Sequence, residues 1–394
     1  MQHRSLVLWL ALLWMATTAP VAFGWQISYC DGDKIQWQRG NPRIRASAVG
    51  FPAGNVATTA LQAVIDRWNN SPADFRFWLT FNDRSVGLDN GQNEVWFSDS
   101  GILDGAPAVA FFWDDCGDFG LGDGDSEIEE QDVVFACDSD WDCDPDFVDT
   151  VDWYFGTDKT RMDSYGGRER SFRTTAMHEF GHALGLLHED GEYNIMGGDR
   201  THIHANGDTA TAYPGEDASD GAVELYSSSA IQREDVAVVH WRYTGTDGEY
   251  SVHRRTLICD NAGACDDAGD ALVFSADGCD PAAIRCERWY HVDNGQEIQV
   301  QFTYENNGST DQEDVQIGFY LSTNNFISLF DTRLGGRTYT LNRNSVMTTS
   351  ETVTLPANLV SGTDYYVGVI VDEDDGIDEV YENNNATYIG IRVN

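Results

Sequence analysis

One stretch constrains this chain more than any other: His178-Glu179-Phe180-Gly181-His182-Ala183-Leu184-Gly185-Leu186-Leu187-His188. Ser171 is placed to cap a helix running to about Leu184, and Gly185 is a natural stop. On that helix His178 and His182 lie one turn apart on the same face, so both imidazoles can reach one cation. Glu179 sits beside that face, near enough to meet a metal-activated water without ligating the metal. Gly185 lets the chain leave by a left-handed turn, which returns His188 as a third ligand. Three neutral nitrogens with one position open suit catalytic Zn²⁺, whereas a closed structural site takes four protein ligands. The expected chemistry is hydrolysis. Zinc acidifies water and polarises a carbonyl, and Glu179 carries the proton to the leaving group. Holding Gly185 and His188 as well as the first five positions makes a chance match very improbable.

The N-terminus reads as an export signal over residues 1–24. Arg4 precedes an apolar run at 6–15, and Ala22-Phe23-Gly24 supplies small residues before an expected cut at Trp25. That run is too short to span a bilayer comfortably, and no other segment is apolar enough, so a secreted protein without a membrane span is expected. All eight Cys follow the cut, which suggests disulfides. The short separations Cys137/Cys143, Cys259/Cys265 and Cys279/Cys286 make local pairing plausible, leaving Cys30 with Cys116, but spacing leaves the connectivity open. A half-cystine is a better reading of Cys30 than a latency switch on the metal. The net charge of −41 argues against nucleic acid or an anionic membrane as partner. No Lys or Arg occurs between Arg84 and Lys159, while 114–149 is packed with carboxylates, which reads as bound Ca²⁺ or as solubility in a salty medium.

At 394 residues the chain should hold two or three domains. Residues 25–228 alternate strand-like and helix-like pieces, which points to an α+β domain: a twisted mixed sheet with the motif on its active-site helix. Leu61, Val64, Ile65 and Trp68 mark a helix at 58–69, and another is expected at 217–226. Strands are expected at 75–81, 93–97, 106–113 and 132–136. Residues 229–288, with half of the Cys, read as a small stapled β-rich subdomain. Residues 289–394 alternate regularly between turn signals, the pattern of an Ig-like β-sandwich.

The motif followed by Asn194-Ile195-Met196-Gly197 resembles the metzincin zinc peptidases, in which such a methionine turn lies beneath the metal. Met196 is then an apolar support and not a ligand. Within that clan residues 25–228 look most like the matrixins. The stretch from Leu103-Asp104-Gly105 through Ala106-Pro107 to Phe112 resembles their upper-rim strand. Asp132-Val133-Val134-Phe135 with Asp138, Asp140 and Trp141 resembles the next strand. Tyr213-Pro214 and the segment from Asp220-Gly221 to Leu225-Tyr226 resemble the specificity wall and final helix. The resemblance implies an extended peptide laid along Ala108, Val109, Ala110 and Phe111 by β-augmentation. Side-chain preference would come mainly from a pocket near His178 and the segment around Tyr213. Val109 and Val134 stand where matrixins place histidines for a second zinc, so that zinc is not expected. Asp138, Asp140, Asp142 and Asp144 offer alternating oxygens for calcium, although no Gly follows Asp142 as an EF-hand loop requires. His202 and His204 could be ligands too, although two exposed loop histidines read better as plain. Glu189 is closer to the astacins, but no Tyr follows Met196 at the astacin position.

Residues 289–394 resemble the CARDB β-sandwich. The matching features are Glu305-Asn306-Asn307-Gly308, Gly318-Phe319-Tyr320-Leu321-Ser322, Leu355-Pro356, Tyr365-Tyr366 and Glu382-Asn383-Asn384-Asn385. The resemblance implies a non-catalytic module for a surface or matrix ligand, or a spacer. The expectation is a secreted zinc metalloendopeptidase acting on protein or peptide substrates. An adhesin with a vestigial peptidase fold is the alternative, against which the complete His178, Glu179, His182 and His188 set weighs.

Overall fold

In the computed structural model the described residues are 25–30, 32–38, 41–98, 101–114, 127–137, 151–165, 167–189, 195–197, 202–240, 256–260, 273–275 and 288–394. Residues 1–24, expected to be an export signal, and the aspartates Asp138, Asp140, Asp142 and Asp144, expected to offer calcium ligands, lie outside them. The described chain is mostly β-strand with few helices, and none of its helices is long and apolar enough to cross a membrane.

Asn55 and Ser171 start two of the helices by the same device. Asn55 Oδ1 accepts from Ala57 N at 3.0 Å, opening α1 (Val56–Asn69), and Ser171 Oγ accepts from Thr174 N at 3.3 Å, opening α2 (Phe172–Leu184). Each satisfies a first-turn donor that has no partner within its helix. The apolar stripe of α1, Leu61, Val64, Ile65 and Trp68, is buried against α2 and the sheet. Burial of a side chain of this size stabilises by roughly 1.5–3 kcal/mol. The third helix, α3 (Glu216–Tyr226), closes the N-terminal half.

Beneath these helices lies a five-stranded sheet in the order Trp78–Asp83, Arg43–Ser47, Asn93–Ser98, Ile128–Ala136, Ala108–Asp114. All neighbours are parallel except the last pair, where Ala108–Asp114 runs antiparallel to Ile128–Ala136. That antiparallel strand is at the end of the sheet order, next to α2. The strand expected at 75–81 begins only at Trp78, because the backbone N–H and carbonyl of Phe77 are taken up by the Asn69 side chain, at 2.7 and 3.0 Å.

The C-terminal sandwich has a six-stranded sheet, Val273–Ser275, Arg288–Val292, Ala386–Val393, Asp364–Val371, Gln312–Ser322, Thr332–Leu341. Facing it, Glu297–Asn306 pairs with Val346–Thr354 on one side and with Val236–Val238 and Leu257–Asp260 on the other. Ile298, Val300 and Phe302 meet Ile317, Phe319, Val367 and Ile391 between the sheets. The subdomain expected at 229–288 does not stand apart among the described residues. Its strands extend both sheets of the sandwich, since Val236, Val238 and Ile258 belong to that same core.

The two halves interlock through polar groups. Asn206 exchanges hydrogen bonds with Ile327 at 2.9 and 2.7 Å, Thr387 Oγ1 donates to Ala205 O at 2.9 Å, and Arg233 donates to Ser71 O at 2.8 Å.

Candidate metal centre

The motif occupies the second half of α2 and the turn that ends it. Gly185 is left-handed, with φ of 105°, and its N–H caps the carbonyls of Gly181 and His182. The last two carbonyls of the helix find side-chain donors instead. Trp37 Nε1 donates to Ala183 O at 2.9 Å, and the Tyr226 hydroxyl donates to Leu184 O. The four terminal carbonyls are therefore all satisfied, which fixes where the chain leaves the helix. Leu186–Leu187 then pairs antiparallel with Gln26–Ile27, and His188 follows directly.

This exit brings three imidazoles together. His182 Nε2 lies 3.2 Å from His178 Nε2, which lies 3.1 Å from His188 Nε2. His178 Nδ1 is 2.7 Å from Ile195 O, and His182 Nδ1 is 2.7 Å from Leu186 O. A carbonyl only accepts, so in both rings Nδ1 carries the proton and Nε2 presents its lone pair. Lone pairs turned toward one another at this spacing repel unless a cation lies among them. In a tetrahedral site with Zn–N near 2.0–2.1 Å, neighbouring nitrogens stand about 3.3 Å apart. The three histidines fit a zinc ion on this test, and the backbone carbonyls are the outer partners that orient metal-binding imidazoles. His178 is buried and His188 exposed, so the cluster opens toward solvent on one side.

Met196 lies below. A Cβ on Gly181 would fall 2.2 Å from Met196 Sδ, so the glycine allows the methionine to pack directly against the helix. Trp68 buttresses the same turn and donates its Nε1 to Met177 O at 3.0 Å.

A cleft of about 350 Å³ runs over the cluster. His178, Glu179, His182 and His188 form one wall, and Ala108, Val109, Ala110 and Phe112 of the sheet's end strand, with Ala106 just before it, form the other. Phe111 packs with the apolar cluster of Trp96, Leu103 and Val134. Val109 is paired in register with Val134, and both belong to that cluster. Cys30, Cys137 and Cys259 are each disulfide-bonded, with partners outside the described residues.

Two expectations are overturned. Tyr213 does not line the cleft. It is buried between the halves, with its hydroxyl 2.6 Å from Asn383 Oδ1, its ring under the Arg67 guanidinium at 3.8 Å, and its phenol pushed up to about 12 by burial. His202 and His204 are neither exposed nor in an open loop. His202 directly precedes the strand Ile203–Asn206 and His204 lies in it; the CARDB-like sandwich covers both, leaving them 0% and 2% exposed. Burial and the adjacent His202 hold the pKa of His204 down to about 3. Their i, i+2 spacing was the available signal, because it places two side chains on one face of a strand.

Residues 284–388 match the CARDB family model, and with the two-sheet architecture this makes the C-terminal part of the chain a CARDB β-sandwich. No curated protein matches the chain. Among solved structures, the CARDB domain of a Pyrococcus furiosus protein in complex with di-metal ions is similar at 17% identity, covering 26% of this chain and 83% of that one, with a TM-score of 0.22. Spo0M, a sporulation control protein from Bacillus subtilis, is similar at 16% identity over 26% of this chain and 44% of its own, TM-score 0.18. A Niemann-Pick type C2 protein from the Japanese carpenter ant is similar at 13% identity, over 33% and 98%, TM-score 0.20.

Proposed function

We propose that this chain is a secreted zinc-dependent metalloendopeptidase of the metzincin clan, with a matrixin-like catalytic half at 25–228 and a CARDB domain that docks on a surface or matrix ligand. The observation that carries the reading is the convergence of the His178, His182 and His188 Nε2 atoms beside Glu179 in a cleft walled by the sheet's end strand. His178, His182 and His188 would hold Zn²⁺, which supplies a Lewis acid that acidifies water and polarises a carbonyl. Glu179 takes the proton of the attacking water and delivers it to the leaving amine nitrogen. Ala108–Asp114 bonds to Ile128–Ala136 along one edge and offers its other edge to an extended peptide, which gains main-chain hydrogen bonds there. That geometry favours a peptide over a compact small molecule, because it holds the substrate by its backbone across the cleft.

The test is cleavage of a mixed unfolded protein substrate by the mature chain, beside Glu179→Gln and a zinc-chelated sample. Glu179→Gln should keep its zinc and lose turnover by roughly 10²–10⁴-fold. Zinc bound in both proteins, with cleavage by neither, would sink the peptidase reading in favour of a binding protein.

A further inference from the structure

We infer that His202, His204 and Glu305 form a second metal site, separate from the His178 cluster, which takes a divalent cation of the Zn²⁺ type and fastens the N-terminal half to the CARDB domain. The three side chains come from distant parts of the chain. His202 and His204 are on or beside the strand Ile203–Asn206, and Glu305 is on Glu297–Asn306, where it pairs in register with Ala237. His202 Nε2 is 2.8 Å from Glu305 Oε1, and His204 Nε2 is 4.0 Å from Glu305 Oε2. One ligand atom from each residue lies within 4.8 Å of the other two.

Chemistry turns this cluster into a site. His202 Nδ1 is 3.1 Å from Tyr213 O, and His204 Nδ1 is 2.8 Å from Val238 O. Each Nδ1 therefore carries the proton, and each Nε2 turns a lone pair toward a carboxylate that can only accept. A proton on His202 would satisfy its contact with Glu305 and leave His204 Nε2 facing the same anion. That Nε2 atom is buried with no hydrogen-bond partner among the described residues. One cation about 2.0–2.2 Å from each ligand satisfies all three at once, and two imidazoles with one carboxylate suit zinc. The construction repeats that of the His178 cluster, where Nδ1 is also turned to a backbone carbonyl and Nε2 inward. Room is kept by Gly215, whose φ is 84° and whose Cβ, if present, would fall 3.0 Å from His202 Nε2. Glu305 and His202 are 0% exposed, so the site's job is structural: it adds a metal tie to the hydrogen bonds and the Arg67 stack that join the two halves.

The test is the zinc content of the full chain, loaded with Zn²⁺ and freed of excess, measured by elemental analysis. Wild type should hold two zinc ions per chain, the His178→Ala/His182→Ala double variant one, and Glu305→Gln one. In the double variant, chelation should lower the melting temperature, because the remaining ion joins the halves. No zinc in the double variant, or as much zinc in Glu305→Gln as in wild type, would overturn the inference and leave a buried histidine–carboxylate pair only. One zinc in both wild type and the double variant would instead empty the His178 cluster. Should Glu305→Gln fail to fold, the double variant decides alone, since it leaves His202, His204 and Glu305 untouched.

Discussion

Gly181→Ala isolates how the helix and the methionine beneath it share one volume. In an ordinary helix this change stabilises by about 0.5–1 kcal/mol, because glycine loses more backbone entropy on folding. Here the new Cβ would sit 2.2 Å from Met196 Sδ, 3.1 Å from its Cε and 3.2 Å from Trp68 Cζ2. Met196 is 2% exposed, so its sulfur can move only by pushing into packed neighbours. Overpacking of this kind costs about 1–3 kcal/mol, for a net loss of up to about 2.5 kcal/mol. The displacement reaches the metal ligands as well, since Ile195, next to Met196, supplies the carbonyl that orients His178. Zinc affinity should fall by roughly 10–100-fold, as for loss of other partners that orient a metal-binding histidine. Met196→Ala alone should cost about 2–5 kcal/mol through the cavity it leaves. Combined, the alanine Cβ fills part of that cavity, so the pair should be less destabilised than the sum by about 0.5–3 kcal/mol. Urea unfolding followed by tryptophan fluorescence, with zinc held constant, measures the four corners of the cycle, and a competing chelator measures zinc affinity. Additivity within about 0.5 kcal/mol, together with unchanged zinc affinity in Gly181→Ala, would refute the reasoning.

Asp235 accepts from Asn307 and Asn384 on the sandwich side of the contact between the halves, near Arg67, and burial pushes its carboxyl from 3.8 up to about 7. The folded chain then binds more protons than the unfolded chain across that interval, so stability falls as pH rises from about 4 to 7, by at most about 4 kcal/mol. Asp235→Asn should flatten that fall, because Asn307 and Asn384 can turn their amide oxygens toward the new amide; equal slopes in melting temperature against pH would show that Asp235 is not the group responsible. Arg67 stacks on Tyr213 at 3.8 Å and on Tyr381 at 4.8 Å across the same contact. Arg67→Met should cost about 1–2 kcal/mol and speed proteolysis between the halves, and unchanged proteolysis would remove this stack from the forces joining them.

What the amino-acid sequence determined by itself is the local geometry of the His178 cluster. Positions four apart on a helix share a face whatever surrounds them, Ser171 can cap only the helix that follows it, and Gly185 takes a backbone angle that other residues avoid. The alternation at 289–394 likewise announces a β-sandwich, because a strand exposed on one side must repeat every second residue. Element ends were less legible: Ile128–Ala136 starts four residues before the stretch expected from Asp132, since Glu129, Glu130 and Gln131 are polar residues that a reading by polarity leaves outside a strand. Only the tertiary structure decided that Tyr213 faces the CARDB domain and not the cleft, and that His202 and His204 meet Glu305. The partners in those contacts lie more than a hundred residues apart, and which of them meet depends on how two separately packed cores come together. Local spacing carries no record of that choice, because burial of a polar side chain is set by the surface that covers it.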